Sequence, residues 1–318
     1  MRMNEKEELR FRLDQIRSIF DIQKILTRKA SLKENIARYY KVNRLAYRWF
    51  HSPEGFVHMG LSEGDSFRKS DFLGQASIVA RYIQPQTKKV LELATGKGAN
   101  SLYLARQFPD VTFSGIDLPD GQIDEAKSSA KEMNNFFPRD GDYHDLSFFE
   151  SETFDVVFIV EALCHSTEKE RVFQEVRRVL RPDGYFIIID GSATKTESEL
   201  SSNELLAKQL TEKGMMVDQF EEFEKVKQKL FQSGFSLVSE QETTERIMPT
   251  LHSIERRKMT RFFFGYPALA RFIVRLLPLE FSANAISGYL MALLFGELKV
   301  LRYDILVVRS GCLEQLQD

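Results

Sequence analysis

The chain has 318 residues, of which 43% are hydrophobic and 28% are charged. This composition is typical of a globular protein with a buried core, and the length fits one or two domains. The 44 basic and 46 acidic residues nearly cancel, which argues against a dedicated nucleic-acid binder because such proteins carry a basic excess. The two cysteines, Cys164 and Cys312, provide neither a disulfide framework nor the spacing of a zinc site. We therefore predict a cytoplasmic protein with no metal site.

The first part of the chain predicts helices. Apolar residues recur at spacings of three and four over residues 4–30, which indicates an amphipathic helix that packs on the body or on a second subunit. A second helix is expected through Tyr40, and a loop rich in glycine and histidine follows it and includes His58. We expect residues 1–84 to form a helical cap that precedes the main domain at 85–318.

From Lys88 onward, short apolar segments alternate with helical ones. The strand candidates are KKVLELA, VTFSGIDL, FDVVFIVEA and YFIIIDG. The last two are nearly continuous apolar runs, which is typical of strands that are buried on both faces. Strands of this kind in alternation with helices predict a doubly wound, mostly parallel α/β sheet.

The C-terminal part predicts two further strands with an apolar helical region between them. The strand candidates are FSLVSEQETTERI and VLRYDILVVRS, and a helix is expected over 218–232. The intervening region, around 247–298, is rich in phenylalanine but is interrupted by charges and by Pro267 and Pro278. A membrane-spanning helix needs roughly twenty predominantly apolar residues. We therefore expect lid helices that fold over the sheet edge and line an apolar pocket, without a transmembrane span.

A glycine-bearing turn follows the first predicted strand. Gly96 and Gly98 form a G-x-G motif four residues after Glu92, and a helix follows the motif. Glycines at such a turn let the backbone approach a ligand closely, and the helix N-terminus adds positive potential. Asp117 ends the next strand, where a carboxylate can bind the hydroxyls of a ribose. Together these features predict a nucleotide-binding site.

In chain order, these segments resemble the class I S-adenosylmethionine-dependent methyltransferases. The matching motifs over 90–191 are VLELATGKGAN, GIDLPDGQIDEAK, GDYHDLSF, FDVVFIVEALCHS and RVLRPDGYFIIIDG. The segment EALCHS is most similar to the sterol C-methyltransferase and tocopherol methyltransferase branch. The resemblance implies a Rossmann-like, seven-stranded sheet with antiparallel pairing at its far end, and S-adenosyl-L-methionine as the cofactor. One departure is Ala94, which stands where the family commonly has the first glycine of the turn.

The resemblance also implies a role for each matching position. Glu92 would hold the ammonium group of the cofactor through water, and Asp117 would bind the ribose hydroxyls. Asp142 would accept a hydrogen bond from the adenine amino group, and Ile159 would line the exit of the methyl group. The full set expected to bind the cofactor is Glu92, Ala94, Gly96, Gly98, Asn100, Asp117, Leu118, Asp142, Tyr143, Ile159 and Tyr40.

Three further residues are candidates for catalysis: Glu161, His165 and His144. Methyl transfer requires the acceptor atom, the methyl group and the sulfur to be aligned. A hydroxyl acceptor then leaves a proton to remove, and an alkene leaves a carbocation to stabilise, so an acid or imidazole near the methyl group is useful. The plainer interpretations are that His165 caps the following helix and that Glu161 accepts backbone N–H groups. Methylation of carbon, oxygen or nitrogen remains open.

Two other functions fit part of the sequence. An NAD(P)-dependent oxidoreductase would need a third glycine at Ser101 and usually has an apolar residue at the position of Glu92. A non-catalytic binding protein on the same fold is the other alternative, and the presence of Asp117, Asp142 and Glu161 argues against it. We therefore predict methyl transfer to a small, apolar acceptor. Peripheral membrane contact and a homodimer are open alternatives for further partners, and no nucleic acid is expected.

Overall fold

The computed structural model describes residues 3–29, 33–50, 52, 54–119, 122–256 and 258–311, so that Cys312 lies outside the described residues. The helices are α1 (Glu5–Ile19), α2 (Ile22–Leu26), α3 (Lys33–Phe50), α4 (Gly74–Ala80), α5 (Ala99–Gln107), α6 (Gln122–Ala130), α7 (Lys169–Val179), α8 (Ser202–Met215), α9 (Phe223–Gln232), α10 (Thr244–Glu255), α11 (Lys258–Gly265), α12 (Pro267–Val274) and α13 (Leu279–Phe295). The strands are β1 (Lys89–Leu93), β2 (Thr112–Asp117), β3 (Phe136–Asp140), β4 (Phe154–Val160), β5 (Leu180–Ala193), β6 (Phe235–Glu242) and β7 (Leu301–Ser310).

The seven strands form one sheet in the order β3-β2-β1-β4-β5-β7-β6. β7 lies between β5 and β6 and runs antiparallel to both, whereas the neighbouring pairs from β3 to β5 are all parallel. The prediction of a doubly wound, mostly parallel sheet with antiparallel pairing at its far end is therefore confirmed. The strand order reverses between β1 and β4, and ligands of such sheets bind beyond the carboxyl ends of the strands at this point.

Both faces of the central strands are covered. Neighbouring residues of a strand point to opposite faces, and here they enter two different cores. Val156 and Phe158 face the larger core, which contains α1, α8 and α13, while Val157 and Ile159 face a second core formed with α7 and α9. This two-sided burial explains why the β4 sequence is apolar without alternation.

The N-terminal helices and the predicted lid helices pack into one layer. Leu9, Leu13 and Ile16 of α1 are buried, and α1 packs against α8, α12 and α13. The amphipathic face of α1 is therefore covered by the body of the same chain. Within the described residues, no helix is both long and apolar enough to cross a membrane.

Several element boundaries differ from the sequence-based expectation. The predicted helix over 4–30 ends at Ile19 because Phe20 is extended, and Asp21 then caps α2 by accepting a hydrogen bond from the backbone N–H of Lys24. The predicted strand from Phe235 ends at Glu242, and its last residues belong to α10. The helix predicted over 218–232 begins only at Phe223.

Helix α8 had no clear signal in the sequence. Its buried face carries charges, because Lys208 and Glu212 are almost fully buried and form an ion pair of 2.6 Å. Glu212 also accepts a hydrogen bond from the backbone N–H of Phe220. Buried charges that satisfy one another interrupt the apolar periodicity from which a helix is otherwise predicted.

Candidate active site

The turn after β1 has the shape that the glycine motif predicted. Three of its residues have left-handed backbone, Ala94 at φ 53°, Gly96 at φ 55° and Gly98 at φ 77°. Ala94 adopts this conformation despite its Cβ, at the position where the resemblance implied a replaced glycine. A side chain at Gly98 would place its Cβ 2.8 Å from the ring of Phe136. Close packing therefore requires glycine at position 98. Gly96 has no side chain to cover its backbone, which borders a cavity beyond the strand ends.

Asp117 joins the end of β2 to this turn. Its carboxylate accepts hydrogen bonds from the backbone N–H of Gly96 at 2.5 Å and of Leu118 at 2.7 Å. The side chain is only partly buried and borders a cavity together with Asp142 and Tyr143. The sheet thus brings the acids at the ends of β2 and β3 to the rim of one cavity.

Glu92 is buried beneath the turn. Its carboxylate accepts hydrogen bonds from the hydroxyls of Thr95 at 2.5 Å and Ser101 at 2.6 Å, and from the side-chain amide of Asn100 at 3.2 Å. Burial raises the pKa of Glu92 to about 7, although the three hydrogen bonds act in the opposite direction. The protonation of Glu92 is therefore sensitive to any charge that enters the cavity beside it.

His58 extends this network into the N-terminal loop. Its Nδ1 lies 2.9 Å from the carbonyl oxygen of Met59 and must donate to it, while its Nε2 lies 3.2 Å from the side chain of Asn100. Burial lowers the pKa of His58, which favours the neutral ring. Asn100 places its Oδ1 beside His58 and donates its amide N–H to Glu92, so it connects the two side chains.

The Glu92 network predicts a dependence of stability on pH. The folded pKa of about 7 lies above the ordinary 4.5, so the native state binds more protons and the free energy of unfolding falls as pH rises between these values. Glu92→Gln cannot ionise and should remove this contribution, which amounts to roughly 3 kcal/mol at most. Melting temperatures of both proteins from pH 4 to pH 8 measure the effect. An unchanged slope in the variant would contradict the assignment.

Glu161 occupies the tip of β4 and is held by two other parts of the chain. It has a left-handed backbone, with φ 47°. Its Oε1 accepts hydrogen bonds from the backbone N–H of Met59 and from the hydroxyl of Tyr303, both at 2.7 Å. Burial raises the pKa of Glu161 to about 8, so the side chain is mostly protonated at neutral pH. It is a carboxyl group that can change its charge within the physiological range.

Two residues that sequence reasoning missed support Glu161. Tyr303 of β7 donates to it, and burial raises the pKa of Tyr303 well above its ordinary value, so its hydroxyl keeps the proton. Gln75 of α4 lies 3.3 Å from the Tyr303 hydroxyl and donates to the carbonyl oxygen of Met59 at 2.6 Å. The β7 sequence contains no signal for Tyr303, which stands between Arg302 and Asp304 at the start of the strand.

The two candidate histidines are placed differently. His165 Nδ1 lies 2.9 Å from the carbonyl oxygen of Met216 and donates to it, so Nε2 accepts from the Tyr40 hydroxyl at 3.2 Å. Burial lowers the pKa of His165 and keeps the ring neutral. His144 instead lies 2.7 Å from the carboxylate of Asp142 and 2.8 Å from the hydroxyl of Ser166. The structure thus brings Tyr40 to His165, whereas His144 stands with Asp142.

Two adjoining cavities lie beyond the strand tips. The first, here called the polar cavity, is bordered by Gly96, Asp117, Leu118, Asp142, Tyr143 and His144. The second, here called the apolar cavity, is lined by Phe56, Met215, Phe220, Ile247, Met291 and Phe295, with Glu92 and Asn100 at one end. Both are bordered by Tyr40, Val57, Ala94, Val160, Glu161 and His165. Any group transferred between the two cavities would pass these shared residues.

Two predicted binding residues border neither cavity. Ile159 is fully buried in the second core with Leu91 and Leu93, because alternate residues of β4 face opposite sides. Val160 is the residue of this strand that borders both cavities. Gly98 also contributes no surface, and it shapes the turn by packing on Phe136. Among the described residues, no group of three or more His, Cys, Asp or Glu is arranged to hold a metal ion.

Comparison with known proteins identifies the central segment. Residues 91–188 match the family model described as a methyltransferase domain, which confirms the expected resemblance over this part of the chain. Sterol methyltransferase-like 3 of Botryococcus braunii is 35% identical over 112 residues, which is 34% of this chain and 28% of that protein. The fatty-acid O-methyltransferase of Mycolicibacterium smegmatis is 35% identical over 145 residues, which is 42% of this chain and 52% of that protein. The chain therefore spans about half or less of the length of these relatives.

Solved structures share the fold over most of the chain. The cyclopropane synthase MmaA2 from Mycobacterium tuberculosis has a TM-score of 0.70 at 16% identity, covering 87% of this chain and 98% of that one. The geranyl diphosphate C-methyltransferase from Streptomyces coelicolor has a TM-score of 0.63 at 13% identity, covering 87% and 97%. The [4+2]-cyclase SpnF has a TM-score of 0.66 at 17% identity, covering 88% and 96%. The fold is therefore that of these proteins, and the site must decide the reaction.

Proposed function

We propose that this chain, which carries a methyltransferase domain at residues 91–188, transfers a methyl group from S-adenosylmethionine to a small, apolar acceptor. The observation that carries the proposal is the pair of adjoining cavities, one polar and one apolar, with Glu161 at their boundary. A polar cofactor and an apolar acceptor would meet at this boundary. An arrangement of this kind aligns two reactants and lowers the entropic part of the barrier.

The residues of the polar cavity fit the parts of the cofactor. Asp117 and Asp142 present carboxylates for ribose hydroxyls and for an adenine amino group, and Leu118 and Tyr143 provide an apolar surface for a ring. When bound, the cofactor supplies an electrophilic methyl group on a positively charged sulfonium. Glu92 lies at the end of the apolar cavity that adjoins the turn, and a nearby positive charge would favour its ionised form.

Glu161 is the residue that we propose to handle charge and protons. Because burial raises the pKa of Glu161 to about 8, a nearby cation would favour the carboxylate and switch the side chain to the charged form. The carboxylate could then stabilise positive charge or accept a proton from the acceptor. His165 is neutral and presents Nε2 to the same boundary through Tyr40, so it is the second proposed base.

The acceptor is proposed to be lipophilic. Phenylalanine and methionine side chains line the apolar cavity, and methionine adapts easily to ligands of irregular shape. The relatives described above are named for sterol and fatty-acid methylation, which supports the same class of acceptor. The methylated atom is not part of the proposal.

The division of the chain and its partners belong to the same proposal. Residues 1–84 would act as a helical cap on the catalytic domain at 85–318, with the helices around 247–298 as the lid. We place the protein in the cytoplasm and in contact with the surface of a membrane, without a span. A homodimer is the alternative partner arrangement.

Binding and transfer can be tested on one preparation. Calorimetry should show binding of S-adenosylmethionine and S-adenosylhomocysteine and none of NAD. Incubation with radiolabelled S-adenosylmethionine and a lipid extract should then transfer label into the organic phase. Tight binding of NAD without a response to S-adenosylhomocysteine would contradict the proposal, and so would transfer only to charged, water-soluble acceptors. Binding of the cofactor without any transfer would favour the non-catalytic alternative.

A further inference from the structure

We propose that α12 and its flanking residues form a docking surface for an anionic lipid bilayer. Residues Tyr266, Leu269, Phe272 and Leu276 define this surface, here called the α12 stripe. Their exposed fractions are 65%, 50%, 63% and 72%. Leu269 and Phe272 are three residues apart on one side of α12, and Tyr266 and Leu276 flank the two ends of the helix. This inference rests on the proposed function, in which the acceptor is lipophilic. It adds the surface at which the protein would contact the membrane that holds the acceptor.

The helices around the stripe are anchored, so its exposure is a fixed feature of the fold. Ala270 of α12 is fully buried. In the preceding helix, Phe263 and Phe264 are buried and both contact the ring of Phe20. The stripe therefore faces outward while the other side of the same region packs into the core. A contiguous group of exposed apolar side chains is typical of an interaction surface.

The charge around the stripe selects the partner. The segment 256–279 contains six basic residues and no acidic one, although the whole chain has a net charge of −2. Arg261, Arg271 and Arg275 of this segment are exposed. A basic, amphipathic surface of this kind binds the interface of a bilayer that contains anionic lipids.

Helices α1 and α2 add to the same basic region. Arg17 and Lys24 line one groove with Arg271 and Arg275, and Asp21 is the acid that borders this groove. The carboxylate of Asp21 accepts a hydrogen bond from the backbone N–H of Lys24 at the start of α2. Arg17 pairs with Asp14 at 3.0 Å, so Lys24, Arg271 and Arg275 are the basic residues that extend the attraction for anionic head groups beyond α12.

A groove beside the stripe shares one lining residue with the apolar cavity. This open groove is lined by Arg261, Phe262, Tyr266 and Thr260. Thr260 also lines the apolar cavity, where it faces Ile254 and Gly288. Thr260 is buried and forms a wall that the groove and the apolar cavity share. The basic charge around the stripe is the reason to favour an anionic membrane over a protein partner.

Vesicle binding tests the surface directly. The protein should float with phosphatidylcholine vesicles in which a third of the lipid is phosphatidylglycerol, and much less with pure phosphatidylcholine vesicles. Arg271→Glu with Arg275→Glu should weaken the partition at least about tenfold. Phe272→Glu with Leu276→Glu should weaken it by a similar factor because buried apolar area is lost. Phe137→Glu is the matched control, since Phe137 is an exposed aromatic residue on the edge strand β3, and it should bind like the wild type.

The remaining measurements separate this proposal from the proposed function. The Phe272→Glu, Leu276→Glu variant should methylate a lipid extract dispersed in a nonionic detergent as the wild type does, and methylate the same extract in vesicles at least about tenfold more slowly. Equal vesicle binding by wild type and stripe variants overturns the docking surface, whatever the activity. Dissociation of a dimer by these variants, without a change in vesicle binding, overturns it in favour of a homodimer interface. Vesicle binding by a protein that binds no S-adenosylhomocysteine overturns the proposed function and leaves the surface intact.

Discussion

Replacement of Glu161 by glutamine is expected to lower the turnover number at least about tenfold, while affinity for S-adenosylhomocysteine changes by less than about threefold. Glutamine keeps an oxygen that can accept from Met59 and Tyr303, so the shape and the hydrogen bonds of the site survive. What the variant loses is the ability to become a carboxylate. A charge that acts on the transition state affects turnover more than it affects binding of a neutral product.

The pH profile distinguishes a base from a structural carboxyl group. In the wild type, kcat/KM should rise with pH to about 8, where Glu161 of the free enzyme loses its proton. The corresponding rise in kcat should occur at lower pH, since the bound sulfonium favours the carboxylate. Glu161→Gln should lack this limb of the profile. Tyr303→Phe is the matched control, because it keeps the carboxyl group but removes one donor to it, and the limb should move to higher pH.

The stability of the same variants provides a second measurement. The raised pKa means that folded Glu161 holds a proton that the unfolded chain releases above its ordinary 4.5, so the wild type loses stability as pH rises towards about 8. Glu161→Gln should therefore melt at an equal or higher temperature than the wild type at pH 8. Near-normal turnover combined with a lower melting temperature would mean that Glu161 only supports the Met59 loop.

Replacement of Asp117 by alanine is expected to weaken cofactor binding by about ten- to a hundredfold, which corresponds to roughly 1.5–3 kcal/mol. The variant removes a carboxylate that borders the polar cavity and that also accepts from the backbone N–H of Gly96. The cofactor would lose a charge-assisted hydrogen bond, and the turn would lose one of its supports. Calorimetry with S-adenosylhomocysteine measures the affinity, and the melting temperature reports on the fold.

A neighbouring acid supplies the control for Asp117. Asp140 ends the adjacent strand β3 opposite Asp117, but it is exposed and pairs with Lys127 at 2.7 Å. Asp140→Ala should leave cofactor affinity unchanged, because a surface ion pair contributes little. Equal affinities of wild type and Asp117→Ala would show that Asp117 only organises the turn.

The sequence by itself determined the parts of this protein that depend on local pattern. Nearly continuous apolar runs predicted β4 and β5, because strands that are buried on both faces consist largely of apolar residues. The glycines of the first turn and Asp117 were found from spacing, since a tight turn and a strand end each constrain the residue type at a fixed distance. The boundary acid Glu161 was found in the same way, as the first carboxyl group after an apolar strand.

Only the tertiary structure decided how these residues are supported and charged. Tyr303 lies 142 positions from Glu161 and reaches it because β7 pairs with β5, next to β4. His58 lies in the N-terminal loop and contacts Asn100, 42 positions away. Asn100 in turn donates to Glu92. Burial by these distant segments raises the two glutamate pKa values, and burial is a property of the assembled layers that no local pattern records. For the same reason, the exposure of the α12 stripe became visible only once the helices that cover its other side were in place.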